Sequence, residues 1–243
     1  MTLQTMYLTL ATAPARILFY GTARESAQRG TILFYHGFGQ SKDDYSEVLE
    51  QLARAGFLIV SLDGIGHGAR RYPDFAQRFP PHSPHLEGNM QLEAAFLDVV
   101  QATTQEIPAI IDALFEHKLA HPGRLGITGY SFGGFVSYAA VIKDKRLQAA
   151  APVVGAPEWK LARPESPHQY IEQFFPTAIL SQVAGQDRRV SPLLAPYYAQ
   201  APARLRYIEY PASPHELCPQ DWSEAWQAVV AWFINFLPSA DRL

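Results

Sequence analysis

Gly129-Tyr130-Ser131-Phe132-Gly133-Gly134 decides how this chain is read. The stretch follows Arg124-Leu-Gly-Ile-Thr128, a short apolar run that reads as a buried strand. It precedes Phe135-Val-Ser-Tyr-Ala-Ala-Val141, which reads as a helix packed on both sides. G-x-S-x-G between a strand and a helix is the setting of a nucleophile elbow. On such a sharp turn the serine takes a strained backbone conformation, and Cβ atoms two residues before and after it would collide. The hydroxyl is then held out at the carboxyl edge of the sheet. The next amide lies at a helix N-terminus, where an oxyanion can be stabilised.

A serine hydroxyl needs a general base, usually histidine, oriented by a carboxylate. In the chain order Ser…Asp/Glu…His both partners lie beyond Ser131. Of eight histidines only His168 and His215 do. His215, in Tyr210-Pro-Ala-Ser-Pro-His-Glu, follows the strand-like Leu205-Arg-Tyr-Ile-Glu-Tyr210, whereas His168 sits between prolines with no strand before it. Asp187, after the strand-like Ala178-Ile-Leu-Ser-Gln-Val183, is the acid candidate. Glu158, after the sixth strand, is the rival; Asp63 precedes Ser131 and ranks below both.

Outward from this centre, strand and helix signals alternate from residue 30 onward, as in a parallel sheet with helices on both faces. The strands are Thr31–Tyr35, Phe57–Leu62, the run before Ser131, Gln148–Val154 and the two before Asp187 and His215. Met1 to Leu10 reads as an edge strand with Arg16-Ile-Leu-Phe-Tyr20 as hairpin partner. Tyr45, Val48, Leu49 and Leu52 recur at helical spacing, and Trp222, Ala225, Trp226, Val229 and Phe233 mark a last helix. A long helical pattern from Leu92 to Phe115 contains Pro108, which predicts a kink or split near Ile107. Arg70 to Gly88 and Gly155 to Pro176 read as irregular. The second carries Trp159, Tyr170, Phe174 and Phe175, and reads equally as a lid-like pocket wall or as a packed loop with core aromatics.

Together these segments resemble the α/β-hydrolase superfamily over essentially the whole chain. His36-Gly37-Phe38-Gly39 resembles its His-Gly oxyanion loop, and Asp63-Gly-Ile-Gly-His-Gly68 its D-x-x-G-H-G segment. Gly129 to Gly133 is similar to the elbow, Gly185 to Val190 to the acid loop, and His215 to the histidine. Two local departures stand out: the acid loop reads G-x-D rather than G-x-x-D, and Pro214 replaces a common glycine. The nearest likeness is to small serine esterases related to the prolyl-oligopeptidase and dienelactone-hydrolase branches. The resemblance implies a mostly parallel eight-stranded sheet and one domain over residues 1–243, with a small insert at about 155–176. It implies a carboxylesterase working through Ser131, Asp187 and His215, with the N–H groups of Phe38 and Phe132 as oxyanion hole and Trp159, Phe174 and Phe175 as pocket residues. A prolyl-oligopeptidase-type peptidase and a non-catalytic binding scaffold are the alternatives; the first of these normally carries a propeller besides this fold.

Composition bounds the rest. The 243 residues are 48% hydrophobic, ample for a large core. A net charge of −3 gives no reason to expect nucleic acid or an anionic membrane as partner. A single cysteine, Cys218, excludes an internal disulfide and suits a cytoplasmic, reducing setting; it reads as an inert, semi-buried residue. The N-terminus lacks the basic start of a signal peptide, and no run approaches a membrane span. His82, His85 and Glu87 lie among prolines and read as a solvated loop rather than a metal site. His67, between two glycines, reads as a structural turn residue. Gly64-Ile-Gly66-His-Gly68 lacks dinucleotide spacing and there is no P-loop, so no cofactor or metal is expected. The expected ligand is a small-molecule ester.

Overall fold

A computed structural model describes residues 2–80, 89–187 and 204–237. The strands are β1 (Leu3–Leu10), β2 (Ala13–Tyr20), β3 (Thr31–Tyr35), β4 (Leu58–Leu62), β5 (Leu125–Tyr130), β6 (Leu147–Val153), β7 (Ala178–Ala184) and β8 (Leu205–Tyr210). They form one sheet in the order β1-β2-β4-β3-β5-β6-β7-β8. β1 and β2 pair antiparallel, β2 runs antiparallel to β4, and every pairing from β4 through β8 is parallel. The all-buried strands β3, β4 and β5 read as continuous apolar runs because helices cover both faces of a parallel sheet.

The helices are α1 (Ala23–Arg29), α2 (Ser46–Arg54), α3 (Phe75–Arg78), α4 (Met90–Glu116), α5 (Phe132–Lys143) and α6 (Pro219–Phe236). One apolar layer gathers α4 and α5 with Phe96, Ile107, Ile111, Phe132 and Val136. The opposite layer gathers α2 and α6 with Leu49, Leu52, Trp226 and Phe233. Helix α1, absent from the sequence reading, starts on a capping box in which Thr22 and Glu25 satisfy each other's backbone N–H groups.

Pro108 does not split its helix. The 27-residue α4 runs through it, with Ile107, Ile110 and Ile111 fully buried against the sheet. Removing one backbone donor costs less than unseating that apolar stripe. Arg146 also donates to the carbonyl of Pro108, tying the segment to the turn before β6.

The stretch from Gly155 to Pro176 is short helical turns over Pro167–Phe174, fastened to α4. The N–H of Leu161 donates to Glu93 at 2.9 Å, and Arg163 reaches Asp98 and the carbonyl of Ala94. Trp159 and Phe174 are buried in the core, Phe174 stacking on Tyr138, while Phe175 is 62% exposed. The aromatics of this segment are thus packed side chains or solvent-facing ones, which favours the packed loop over the pocket wall. No helix among the described residues is long and apolar enough to cross a membrane.

Candidate active site

The carboxyl ends of β3, β5, β7 and β8 bring the site together. Ser131 follows β5 directly, at φ 53° and ψ −108°, a left-handed strained conformation for a residue with a side chain. The strain is fixed from several sides. The Ser131 N–H donates to the carbonyl of Val153, and its own carbonyl accepts from Phe135 inside α5. The two motif glycines are required by close backbone approach. A Cβ on Gly133 would press into the carbonyl of Tyr35, and one on Gly129 would meet the Cα of Gly133 at 2.7 Å. The elbow is therefore wedged against the end of β3, and the Gly133 N–H donates to the carbonyl of His36.

His215 reaches the serine from the loop after β8. Its Nε2 lies 2.8 Å from Ser131 Oγ, and its Nδ1 lies 2.7 Å from Asp187 Oδ2. The Asp187 side chain is fully buried, and that of His215 is 11% exposed. A carboxylate on Nδ1 fixes the tautomer with the proton on that nitrogen, so Nε2 presents its lone pair to the hydroxyl. The short G-x-D loop reaches because its backbone is stitched to the histidine loop. Gly185 N–H donates to Tyr210, and Gln186 N–H to Ser213. A Cβ on Gly185 would meet the Cα of Pro211 at 2.7 Å, which explains the glycine. Ser213, fully buried, anchors the histidine loop to the start of α6: it donates to Asp221 and accepts from the N–H of Cys218.

Glu158 is exposed, and no hydrogen bond or ion pair joins it to His215 among the described residues. His168 lies elsewhere, its Nδ1 2.8 Å from Ser166 Oγ in the segment over α4. Asp63 is buried and structural. Its carboxylate accepts from the N–H groups of Lys42 and Ala69 and pairs with the Lys42 ammonium at 3.3 Å. It thereby staples the loop after β3 to the turn after β4. His82, His85 and Glu87 lie outside the described residues; so does the part of the acid loop past Asp187.

The N–H groups of Phe38 and Phe132 have no hydrogen-bond partner among the described residues. Phe132 opens α5, so its N–H is one of the donors a helix leaves unpaired at its start. The loop carrying Phe38 is held by His36, whose Nε2 accepts from Gly64 N–H at 3.1 Å and whose Nδ1 donates to the Gly37 carbonyl. Burial lowers the pKa of His36, keeping this double anchor neutral.

Two features escaped the sequence reading. Tyr130, a variable position inside the motif, donates from its hydroxyl to the carbonyl of His215 at 2.6 Å. An open cleft of about 450 Å³ is lined by Gln40, Tyr45, Tyr130, Glu216 and Trp222. Tyr130 and Glu216 are the immediate chain neighbours of Ser131 and His215. No periodicity signals either feature, because each arises from loops far apart in sequence.

The fold is the α/β-hydrolase fold, with serine, histidine and carboxylate meeting at the carboxyl edge of the sheet. The chain belongs to the serine aminopeptidase (S33) family of that superfamily, whose family model matches residues 26–209. Esterase YjfP of Escherichia coli is 23% identical over 178 residues, 73% of this chain; the chain spans 62% of that relative's length. Among solved structures, TT1662 from Thermus thermophilus superposes with a TM-score of 0.75 at 20% identity, covering 98% of this chain and 99% of its own. Acylaminoacyl peptidase of Pyrococcus horikoshii superposes with a TM-score of 0.70 at 17% identity, over 98% of this chain and 42% of its own. At these identities the structural likenesses speak to the fold alone.

Proposed function

We propose that this protein is a serine carboxylesterase that cleaves small or short-acyl carboxylic esters through an acyl-enzyme. The observation that carries the reading is the continuous relay from Asp187 through His215 to a serine held at φ 53°. His215 takes the proton of Ser131 as Oγ attacks the acyl carbon. The oxyanion is received by the N–H groups of Phe38 and Phe132. The imidazolium, stabilised by Asp187, protonates the leaving alcohol. Water then releases the acyl group by the same steps, and Ser131 recovers its proton. The chemistry calls on no group beyond these residues.

The esterase name of YjfP supports the ester over the amide, and the description of the matching family as serine aminopeptidase keeps a peptidase as the second reading. The short-acyl preference rests on the phenylalanine rings beside the two oxyanion amides. Phe38 lies against Phe75, Phe79 and Phe96, so the wall on that side is already filled with aromatic rings.

The test is titration with an active-site phosphonate, followed by rates on p-nitrophenyl esters from acetate to palmitate and on aminoacyl p-nitroanilides. One label at Ser131 and a maximum among the short esters is expected. No label makes the chain a binding scaffold. A preference for the anilides makes it a peptidase, and a maximum at the long esters removes the short-acyl claim.

A further inference from the structure

His67 is fully buried, yet among the described residues its Nε2 has no hydrogen-bond partner. Its Nδ1 lies 2.8 Å from the carbonyl oxygen of Ile65, two residues back in its own turn. An acceptor there places the proton on Nδ1 and leaves Nε2 as a bare lone pair among rings. Burial holds the imidazole neutral, its pKa lowered from 6.5 to about 4. A hydrophobic side chain would fill this place without an orphaned nitrogen, so packing alone leaves the imidazole unexplained.

The position of the ring explains it. His67 stacks on Phe132 with centroids 4.9 Å apart and planes at 21°, and meets Phe38 edge-on at 4.8 Å. Phe38 and Phe132 themselves are 6.1 Å apart. The imidazole therefore contacts both residues whose N–H groups would bind the oxyanion. Its own orientation is fixed by the Nδ1 bond and by the turn around it. Gly66 and Gly68 both have positive φ, and a Cβ would strike Tyr72 at the first and the Asp63 carboxylate at the second. That same carboxylate binds Lys42 N–H in the loop following Phe38. The turn after β4 and the oxyanion loop are thus one clamped unit with the imidazole at its centre.

We propose that His67 is a positioning residue for the oxyanion hole, a wedge between Phe38 and Phe132 that holds their two amides in register. The inference rests on the esterase reading above. An aliphatic residue would lack the flat face that stacks on Phe132, and a phenyl ring would lack the tie to Ile65 that fixes its plane.

The experiment compares His67→Asn, which keeps a donor for Ile65 but removes the ring, with His67→Phe, which keeps a ring but removes the donor. Turnover of p-nitrophenyl acetate is measured per phosphonate-titrated site, together with the affinity of an aryl trifluoromethyl ketone that forms a tetrahedral adduct. His67→Asn should lower kcat by roughly 10- to 100-fold with little change in KM, less than the roughly 10²- to 10³-fold lost when an oxyanion donor is removed outright. Ketone affinity should weaken in parallel, and His67→Phe should recover part of both. Should His67→Asn fail to fold, Phe38→Leu removes the ring from the other side and carries the same expectation. Labelling and turnover by the wild type are read first, and their absence sinks the esterase reading itself. A labelled, active wild type beside a His67→Asn enzyme of unchanged kcat and ketone affinity overturns the wedge alone. So does a loss confined to thermal stability.

Discussion

The hydroxyl of Tyr130 donates a 2.6 Å hydrogen bond to the backbone carbonyl of His215. The residue immediately before the strained serine thus grips the main chain of the residue proposed as its base, 85 positions later. The Tyr130 ring also meets Trp222 edge-on at 5.0 Å, where α6 follows the histidine loop. Elbow and histidine loop are one mechanical unit, and Tyr130 and Trp222 both line the cleft beside them.

Tyr130→Phe should therefore leave the fold intact and loosen the base. Loss of one buried hydrogen bond costs about 1 kcal/mol. If that is felt as misplacement of His215, kcat drops by about 5-fold. Steady-state kinetics against short esters, with urea unfolding alongside, separates the two effects. Unchanged kcat would mean that Asp187 and the stitched acid loop suffice to place the imidazole.

Ser131→Ala removes the proposed nucleophile and should cost about 10⁴-fold or more in kcat. Its circular dichroism should match the wild type, since no packing depends on the hydroxyl. Near wild-type turnover by the folded variant would dismiss the mechanism as a whole.

Asp187→Asn should impair catalysis far more than Glu158→Gln. The amide permits the wrong imidazole tautomer and costs up to about 10⁴-fold. Glu158 is exposed and shares no hydrogen bond or ion pair with His215 among the described residues, so its neutralisation should leave kcat unchanged. The two rate constants measured side by side decide it, and the opposite ranking moves the acid to the end of β6.

Gly133→Ala places a methyl group against the carbonyl of Tyr35. Neither partner is a flexible side chain, so the elbow or β3 must shift. A loss of about 3 kcal/mol of stability is expected from such overpacking, read as a lower urea midpoint. Wild-type stability would mean that β3 yields without cost.

Stability should also fall as the pH drops below neutrality. An unfolded imidazole takes up its proton near 6.5, but folded His67 does so only near 4. Between those values the unfolded chain binds the extra proton, so unfolding is favoured progressively and levels off below about 4. The contribution is up to about 3 kcal/mol. Buried His36 is shifted in the same direction. Urea midpoints at pH 7, 5.5 and 4.5 should decline, and the slope should be shallower in His67→Phe. An identical slope in that variant would assign the acid sensitivity elsewhere.

The sequence by itself determined the strands of the sheet and the order of the loops that carry Ser131, Asp187 and His215. Apolar runs such as Leu58–Leu62 and the glycines around Ser131 are local signals, because burial of both faces of a strand and backbone strain each mark a few consecutive residues. The same holds for Asp187 and His215, each legible as a polar residue just past a strand. Tertiary structure decided what depends on distant partners. Pro108 stays inside α4 because the apolar stripe on either side of it is held by the sheet. Trp159 and Phe174 are packed inward, which no local pattern distinguishes from a pocket wall. Tyr130 on His215, Asp63 on Lys42 and His67 between Phe38 and Phe132 are contacts between separate strand ends. A linear chain cannot announce them, because their energy exists only once the parallel sheet has brought those ends to one edge.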